Sequence, residues 1–258
     1  MTNLEKYYNK FNEDHRLTTR HGIVEFTTSM KYIHDFIPDG KKLKILDVGA
    51  GTGRYSIALS REGHNVTAVE LVERNLKVLE SKHEHVNCWP GNAMDLSFLE
   101  DDTFDITLLF GPMYHLMSED EKLKAFLEAR RVTKNGGHIF VAYVMNDYSV
   151  ITYCFKQNKI KECIEKKSLT EDFHQIVTPD DLYSYLRLED IDALNKKAGL
   201  KRVKIIAADG AADYMRRELN ALDEESFNYF IQYHLANCER PELLGASSHV
   251  VDILVNEK

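Results

Sequence analysis

The chain has 258 residues, 43% of them hydrophobic and 29% charged, the balance of an ordinary globular protein rather than a disordered, collagen-like or membrane-embedded one. Its 33 Lys and Arg against 41 Asp and Glu leave a formal charge of −8. A net anion is repelled by phosphate backbones at long range, which disfavours a nucleic-acid partner without excluding a local basic patch. The cysteines, Cys88, Cys154, Cys163 and Cys238, show no C-x-x-C spacing and read as reduced thiols rather than a disulfide frame or zinc site. No apolar run reaches the roughly 18 residues of a membrane span, and Met1 to Lys6 lacks the apolar core of a secretory signal. A cytoplasmic protein without a membrane partner is the expectation.

Leu4, Tyr7, Tyr8 and Phe11 recur at i, i+3, i+4 and i+7, predicting an amphipathic helix with an aromatic face. A second helix is predicted from about Val24 to Phe36, ending before Pro38 and Gly40. Strands are predicted at Leu43–Val48, Asn65–Glu70, Val86–Trp89, Phe104–Phe110 and Ile139–Val144, separated by helical spacing at Tyr55–Arg61, at Val72, Leu76 and Leu79, and after the Ser118/Glu121 capping box. Lys134-Asn135-Gly136-Gly137 reads as the turn before the fifth strand. The alternation predicts an α/β fold with a doubly wound, mostly parallel, Rossmann-like sheet and an antiparallel last strand. After Asn146 the rhythm breaks into a helical insertion at about 146–188, with a helix starting at Thr178-Pro179-Asp180-Asp181. A helix near Glu189–Lys197, a strand at Val203–Ala207, a helical insertion over roughly Ala211–Ala236 and a strand at His249–Val255 complete the chain. The organisation expected is a helical cap over 1–40 and a core over 41–258, with insertions at about 146–188 and 209–240.

Gly49-x-Gly51-x-Gly53 sits between a predicted strand and helix, where missing Cβ atoms let the backbone turn sharply and let a ligand approach the peptide groups. Glu70 lies about 20 residues on, at the end of the next strand, where a carboxylate accepts ribose hydroxyls. Arg54 stands where a dinucleotide fingerprint has its third glycine, and no P-loop pattern is present. Asp47-Val48-Gly49-Ala50-Gly51-Thr52-Gly53 resembles motif I of the class I S-adenosylmethionine-dependent methyltransferases. Asn92-Ala93-Met94-Asp95, Phe104-Asp105, Lys134-Asn135-Gly136-Gly137 and Ala198-Gly199-Leu200 also resemble family positions. The segment from Gly111 to Leu116 is similar to that of a small bacterial subgroup with Gly-Pro-x-Tyr-His-Leu.

The resemblance implies S-adenosylmethionine as cofactor and gives roles residue by residue. Asp47 would support the loop and the methionine amino group, and Gly49, Ala50, Gly51 and Gly53 would form the loop around the methionine moiety. Glu70 would hold the ribose and Leu71 flank the adenine, with Ala93, Met94 and Asp95 at its edge. Phe110 and Gly111 would lie beside the amino group. The methionine carboxylate needs a cation, for which Arg20 is the first candidate, with Arg16 and Arg54 behind it. Tyr114 and His115, just past the fourth strand, are the candidate catalytic residues. A histidine there deprotonates an acceptor near neutral pH, or it simply hydrogen-bonds its own loop.

Tyr7, Tyr8, Tyr148, Tyr153, Tyr183 and Tyr214 are lid candidates, since aromatic faces attract a sulfonium. Phe227, Phe230 and Ile231 read as core. His83 and His85 lack a third ligand, so no metal is expected. Lys156, Lys159, Lys161, Lys166 and Lys167 interleave with Tyr153 and Phe155, a pattern compatible with RNA, but Glu162, Glu165, Glu171 and Asp172 dilute it and a solvated face is simpler. The function implied is methyl transfer to a small-molecule acceptor by a monomer or homodimer. The alternatives are a tRNA or protein methyltransferase, and a non-catalytic S-adenosylmethionine-binding module.

Overall fold

A computed structural model describes residues 3–8 and 18–258. Phe11 and Arg16 lie outside the described residues. The first helix, α1, is described over Asn3–Tyr8. The second, α2 (Arg20–His34), starts earlier than the periodicity predicts because the Thr19 hydroxyl caps it, accepting from the Gly22 amide at 3.4 Å.

Seven strands form one sheet: β1 (Lys44–Val48), β2 (Asn65–Glu70), β3 (Val86–Pro90), β4 (Phe104–Leu109), β5 (Thr133–Val144), β6 (Lys201–Ala207) and β7 (His249–Val255). Their order is β3-β2-β1-β4-β5-β7-β6, with β7 antiparallel to both neighbours and every other pair parallel. The apolar runs of β1 and β4 are buried because helices cover both faces of the sheet. Strand order reverses between β1 and β4, so the loops leaving their carboxyl ends diverge and open a crevice, the usual ligand position in such sheets. Helices α3 (Arg54–Arg61), α4 (Glu73–Ser81) and α5 (Glu119–Val132) connect these strands. α5 begins with the expected capping box of Ser118 and Glu121.

Lys134-Asn135-Gly136-Gly137 is not a turn ahead of β5 but a bulge within it. Pairing with β4 jumps from Phe104↔Thr133 to Ile106↔His138, and the excursion is tied down by Gly136 N to Asn256 O at 2.7 Å and Asn256 N to Gly137 O at 2.9 Å.

The first insertion comprises α6 (Asn146–Ser149), a π-helical stretch (Val150–Lys156) and α7 (Ile160–Glu165). The helix expected at Thr178 is absent. Asp181 turns back instead, its carboxylate accepting from the Thr178 amide at 2.7 Å and hydroxyl at 3.0 Å. The chain then runs extended, Leu186 N donating to Val144 O and Asn146 N to Leu186 O, so sheet-edge pairing claims the backbone a helix would need. After α8 (Leu188–Ala198), which ends at Gly199 in the left-handed region (φ 65°), comes β6. The helical stretch expected over Ala211–Ala236 is broken into α9 (Arg216–Ala221) and α10 (Glu224–Asn237), with α11 (Pro241–Leu244) beyond. The break has two causes. Arg20 takes the Leu219 and Leu222 carbonyls at 2.9 and 2.7 Å, and the Asp223 carboxylate caps α10 through the Ser226 amide at 2.7 Å.

Candidate functional site

The β1 strand ends at Val48, and the next two amides, of Gly49 and Ala50, both donate to the Val69 carbonyl. This pins the glycine loop to the end of β2. Gly49 has φ 75°, and a Cβ on it would stand 2.8 Å from the Pro112 ring, so only glycine lets the loops after β1 and β4 cross this closely. Gly53 serves packing rather than the cavity: at φ 88° it caps α3, and a Cβ there would meet Leu79 Cδ1 at 2.2 Å.

Around this loop lies a cavity of about 640 Å³, within the size range of small-ligand sites. Asp47, Gly49, Ala50, Gly51, Glu70 and Leu71 line it, as do Ala93, Met94, Phe110, Gly111, Tyr114 and His115. Glu70 is 5% exposed. Its Oε2 accepts from Gly51 N and its Oε1 from Val72 N, both at 2.7 Å. The carboxylate is thereby fixed on the cavity wall. Asp47 is buried, and burial pushes its carboxyl up to about 6, opposed by the Ser56 hydroxyl donating at 2.5 Å and reinforced by the Glu70 charge.

Asp95 does not line the cavity. Its exposed carboxylate accepts from the Ser97 amide at 3.1 Å, which holds it below its ordinary pKa. Asn92 lines the cavity instead, its Oδ1 accepting from Met94 N at 3.0 Å. Arg20 also lies outside. Besides its two carbonyls it stacks over Phe227 at 4.8 Å and pairs with Glu224 at 3.5 Å, a clamp between α2 and α9–α10. Three cations do line the cavity: Arg54, whose guanidinium stands 4.5 Å over the Phe26 ring, Lys82, whose Nζ donates to Thr52 O at 2.8 Å, and Arg61, which is paired with Glu84.

One wall is aromatic: Phe26 packs on Tyr55 with centroids 5.1 Å apart, and Tyr55 on Phe110 at 4.8 Å. Tyr114 donates from its hydroxyl to Phe110 O at 2.8 Å. His115 Nδ1 lies 2.9 Å from the Leu182 carbonyl, which only accepts, so Nδ1 carries the proton. In the neutral ring Nε2 then accepts from the Tyr8 hydroxyl, also at 2.9 Å. Tyr7 and Tyr183 pack behind this wall without lining the cavity, Tyr183 meeting Tyr7 edge-on at 6.1 Å and lying 5.0 Å from His115. Among the other lid candidates, Tyr148 and Tyr214 pair with each other 5.2 Å apart, and Tyr153 is exposed. Phe227 is buried in a small cluster against which Phe230 and Ile231 pack.

Sequence reasoning missed Phe26, Tyr55, Asn75 and Asn92 as lining residues. The signal for Asn75 was a polar residue on the buried face of α4, where it is 4% exposed. It also missed a cluster of Glu25, Asp209 and His249, whose ligand-type atoms lie within 4.8 Å of one another. His249 Nδ1 and Asp209 Oδ2 are 2.7 Å apart, an ordinary hydrogen bond that accounts for that contact.

The sheet order, the glycine loop and the carboxylate closing β2 define a Rossmann-like methyltransferase fold. Residues 46–141 match the family described as "Methyltransferase domain". Among curated proteins, the chain is 26% identical over 161 residues to a ubiquinone biosynthesis O-methyltransferase of Roseobacter denitrificans, covering 61% of this chain and 63% of that one. It is 39% identical over 106 residues to a demethylmenaquinone methyltransferase of Staphylococcus aureus, covering 38% and 42%. The matches thus span less than two thirds of these relatives' own lengths. A Thermotoga maritima structure described as a S-adenosylmethionine-dependent methyltransferase, possibly a histamine N-methyltransferase, superposes with a TM-score of 0.60 at 19% identity over 98% of both chains, a likeness of fold. No described helix is long and apolar enough to cross a membrane.

Proposed function

We propose that the whole protein is a S-adenosylmethionine-dependent methyltransferase of the small bacterial subgroup with Gly-Pro-x-Tyr-His-Leu, acting on a small aromatic or otherwise apolar acceptor. The observation that carries this is Glu70, buried and held at both oxygens by Gly51 and Val72 amides on the cavity wall. The chemistry of the lining fits the cofactor. The fixed Glu70 carboxylate suits a ribose diol, Asp47 an amino group, Arg54 or Lys82 a carboxylate, and the Ala93–Met94 edge an adenine. When bound, S-adenosylmethionine supplies a sulfonium-activated methyl group that an acceptor lone pair displaces in line.

This chain's residues orient and desolvate. The Phe26–Tyr55–Phe110 wall excludes water and favours a flat acceptor. His115, its tautomer set by the Leu182 carbonyl, offers Nε2 to an acceptor hydroxyl that takes the place of Tyr8 there, and receives its proton. Names of quinone-methylating relatives support an aromatic hydroxyl or ring carbon as acceptor.

Thermal-shift titration with S-adenosylmethionine, S-adenosylhomocysteine and NAD tests the cofactor. A ligand at 100 times its dissociation constant adds about 2.7 kcal/mol of stability, so the two sulfur nucleotides alone should raise Tm. Stabilisation by NAD alone, or by none, would overturn the reading. With binding established, a quinol, phenol and amine panel assayed for methylated product tests catalysis; cofactor binding with no product from any of them would leave a binding module.

A further inference from the structure

The nitrogen of His115 that faces the cavity side of the ring system already carries a phenol. Nδ1 gives its proton to the Leu182 carbonyl, so in the neutral ring Nε2 is an acceptor. The group donating to it, at 2.9 Å, is the hydroxyl of Tyr8, 107 residues earlier in the chain. Tyr8 and His115 both line the cavity, as does Leu4, four residues before Tyr8 on the same face of α1. The surroundings of this hydrogen bond are aromatic. The Tyr8 ring stands edge-on to His115 with centroids 5.6 Å apart, and edge-on to Tyr7 at 5.2 Å. The rings of Tyr114 and Tyr183 lie 4.8 and 5.0 Å from the imidazole. A flat ring bearing a hydroxyl is therefore what this wall holds in the absence of an acceptor.

We propose that Tyr8 is a built-in stand-in for a phenolic acceptor: it holds His115 Nε2 until a phenol displaces it, and retakes that nitrogen once the phenol has been methylated. The proposal rests on the methyltransferase reading and narrows it to a phenolic hydroxyl. An arriving phenol exchanges one O–H···N bond for another at little net cost. A ring carbon brings no such donor, and an alkylamine is protonated near neutral pH and has no lone pair to offer.

The same contact clears the site. As the phenol oxygen takes the methyl group, the electrons of the C–S bond stay with sulfur in the thioether product, and the O–H proton goes to Nε2. When that proton passes to solvent, Nε2 again needs a donor. The aryl methyl ether has none and Tyr8 has one, and an acceptor left unpaired is costly. The return of Tyr8 thus favours departure of the product.

The Tyr8 side chain is itself 4-methylphenol, which serves as the probe, with 4-methylanisole as the product analogue. Both are titrated by NMR into S-adenosylhomocysteine-loaded wild type, Tyr8→Phe, His115→Phe and the double variant. Wild type should bind the phenol about 2–12-fold more tightly than the ether, the worth of one hydrogen bond. Tyr8→Phe keeps the ring but removes the competing donor, so both compounds should bind about 2–12-fold more tightly than to wild type. In the His115→Phe background the change at Tyr8 should alter neither affinity, a coupling that a purely structural role for Tyr8 would not produce. Unchanged or weaker binding in Tyr8→Phe, the same gain without His115, or no binding of 4-methylphenol to any of the loaded proteins would overturn the proposal and leave the cofactor site standing. Failure to bind S-adenosylhomocysteine would instead overturn the methyltransferase reading, and this proposal with it.

Discussion

Replacing Glu70 separates a loop-organising role from a ligand-binding one. In Glu70→Ala the amides of Gly51 and Val72, each 2.7 Å from a carboxylate oxygen, lose a charged acceptor. Bonds of this kind contribute about 1.5–3 kcal/mol each. Water from the cavity replaces part of that, so the expected loss of stability is about 2–3 kcal/mol, or roughly 5–10 °C in Tm for a chain of this size. The ribose loses its acceptor as well, and S-adenosylhomocysteine should bind roughly 30–150-fold more weakly. Because a disordered loop also weakens binding, a cycle is needed. Titration calorimetry with S-adenosylhomocysteine and its 2′,3′-dideoxyribose analogue, on wild type and variant, isolates the contact. Removing the hydroxyls should cost wild type about 2–3 kcal/mol and the variant almost nothing. An equal penalty on both proteins would refute the assignment of Glu70 to the ribose, even if Tm falls as expected.

Gly49→Ala places a methyl 2.8 Å from the Pro112 ring on a backbone at φ 75°, and should cost about 2–4 kcal/mol in urea unfolding; a loss under about 0.5 kcal/mol would show that the two loops part easily. Burial pushes the folded Asp47 carboxyl up to about 6, above the ordinary carboxylate range, so the native state holds the extra proton in that window and stability falls as pH rises through it. Asp47→Asn should flatten the Tm profile between pH 4 and 6 and be relatively more stable at pH 7; an unchanged slope would refute the assignment. Lys122 behaves in the opposite sense. It is 3% exposed, burial lowers its ammonium to about 8 from 10.5, and it donates to the Leu116 carbonyl and the Ser184 hydroxyl. Between pH 8 and 10.5 the unfolded chain binds the extra proton, so this group adds stability as pH rises. The difference between wild-type and Lys122→Met urea midpoints should grow over that window, and a constant difference would contradict it. His115→Asn should lower kcat by about 100-fold or more if Nε2 receives the acceptor proton, with S-adenosylhomocysteine affinity unchanged; a loss under threefold would confine the ring to anchoring Leu182.

The alternation of strands and helices, the glycine loop and the acid closing β2 were legible in the sequence because each is a local pattern. A buried parallel strand writes itself as an apolar run, and a sharp strand-to-helix turn writes itself as glycine. Gly49, Gly51 and Glu70 follow from such patterns, Met94 and Gly111 from the family resemblance, and all line the cavity. Asp95 failed as a lining residue because one position along a tight turn decides whether a carboxylate faces in or caps its own loop, as it does at Ser97.

Only the tertiary structure decided which cation reaches the cavity. Arg20 looked right in chain order, but its partners are carbonyls 199 and 202 residues away, and a guanidinium satisfied there is unavailable elsewhere. The same long-range bonds split the helix expected over Ala211–Ala236, and pairing of Leu186 with Val144 abolished the one expected at Thr178. Local propensity set where regular structure starts; hydrogen bonds between segments far apart in the chain set where it stops.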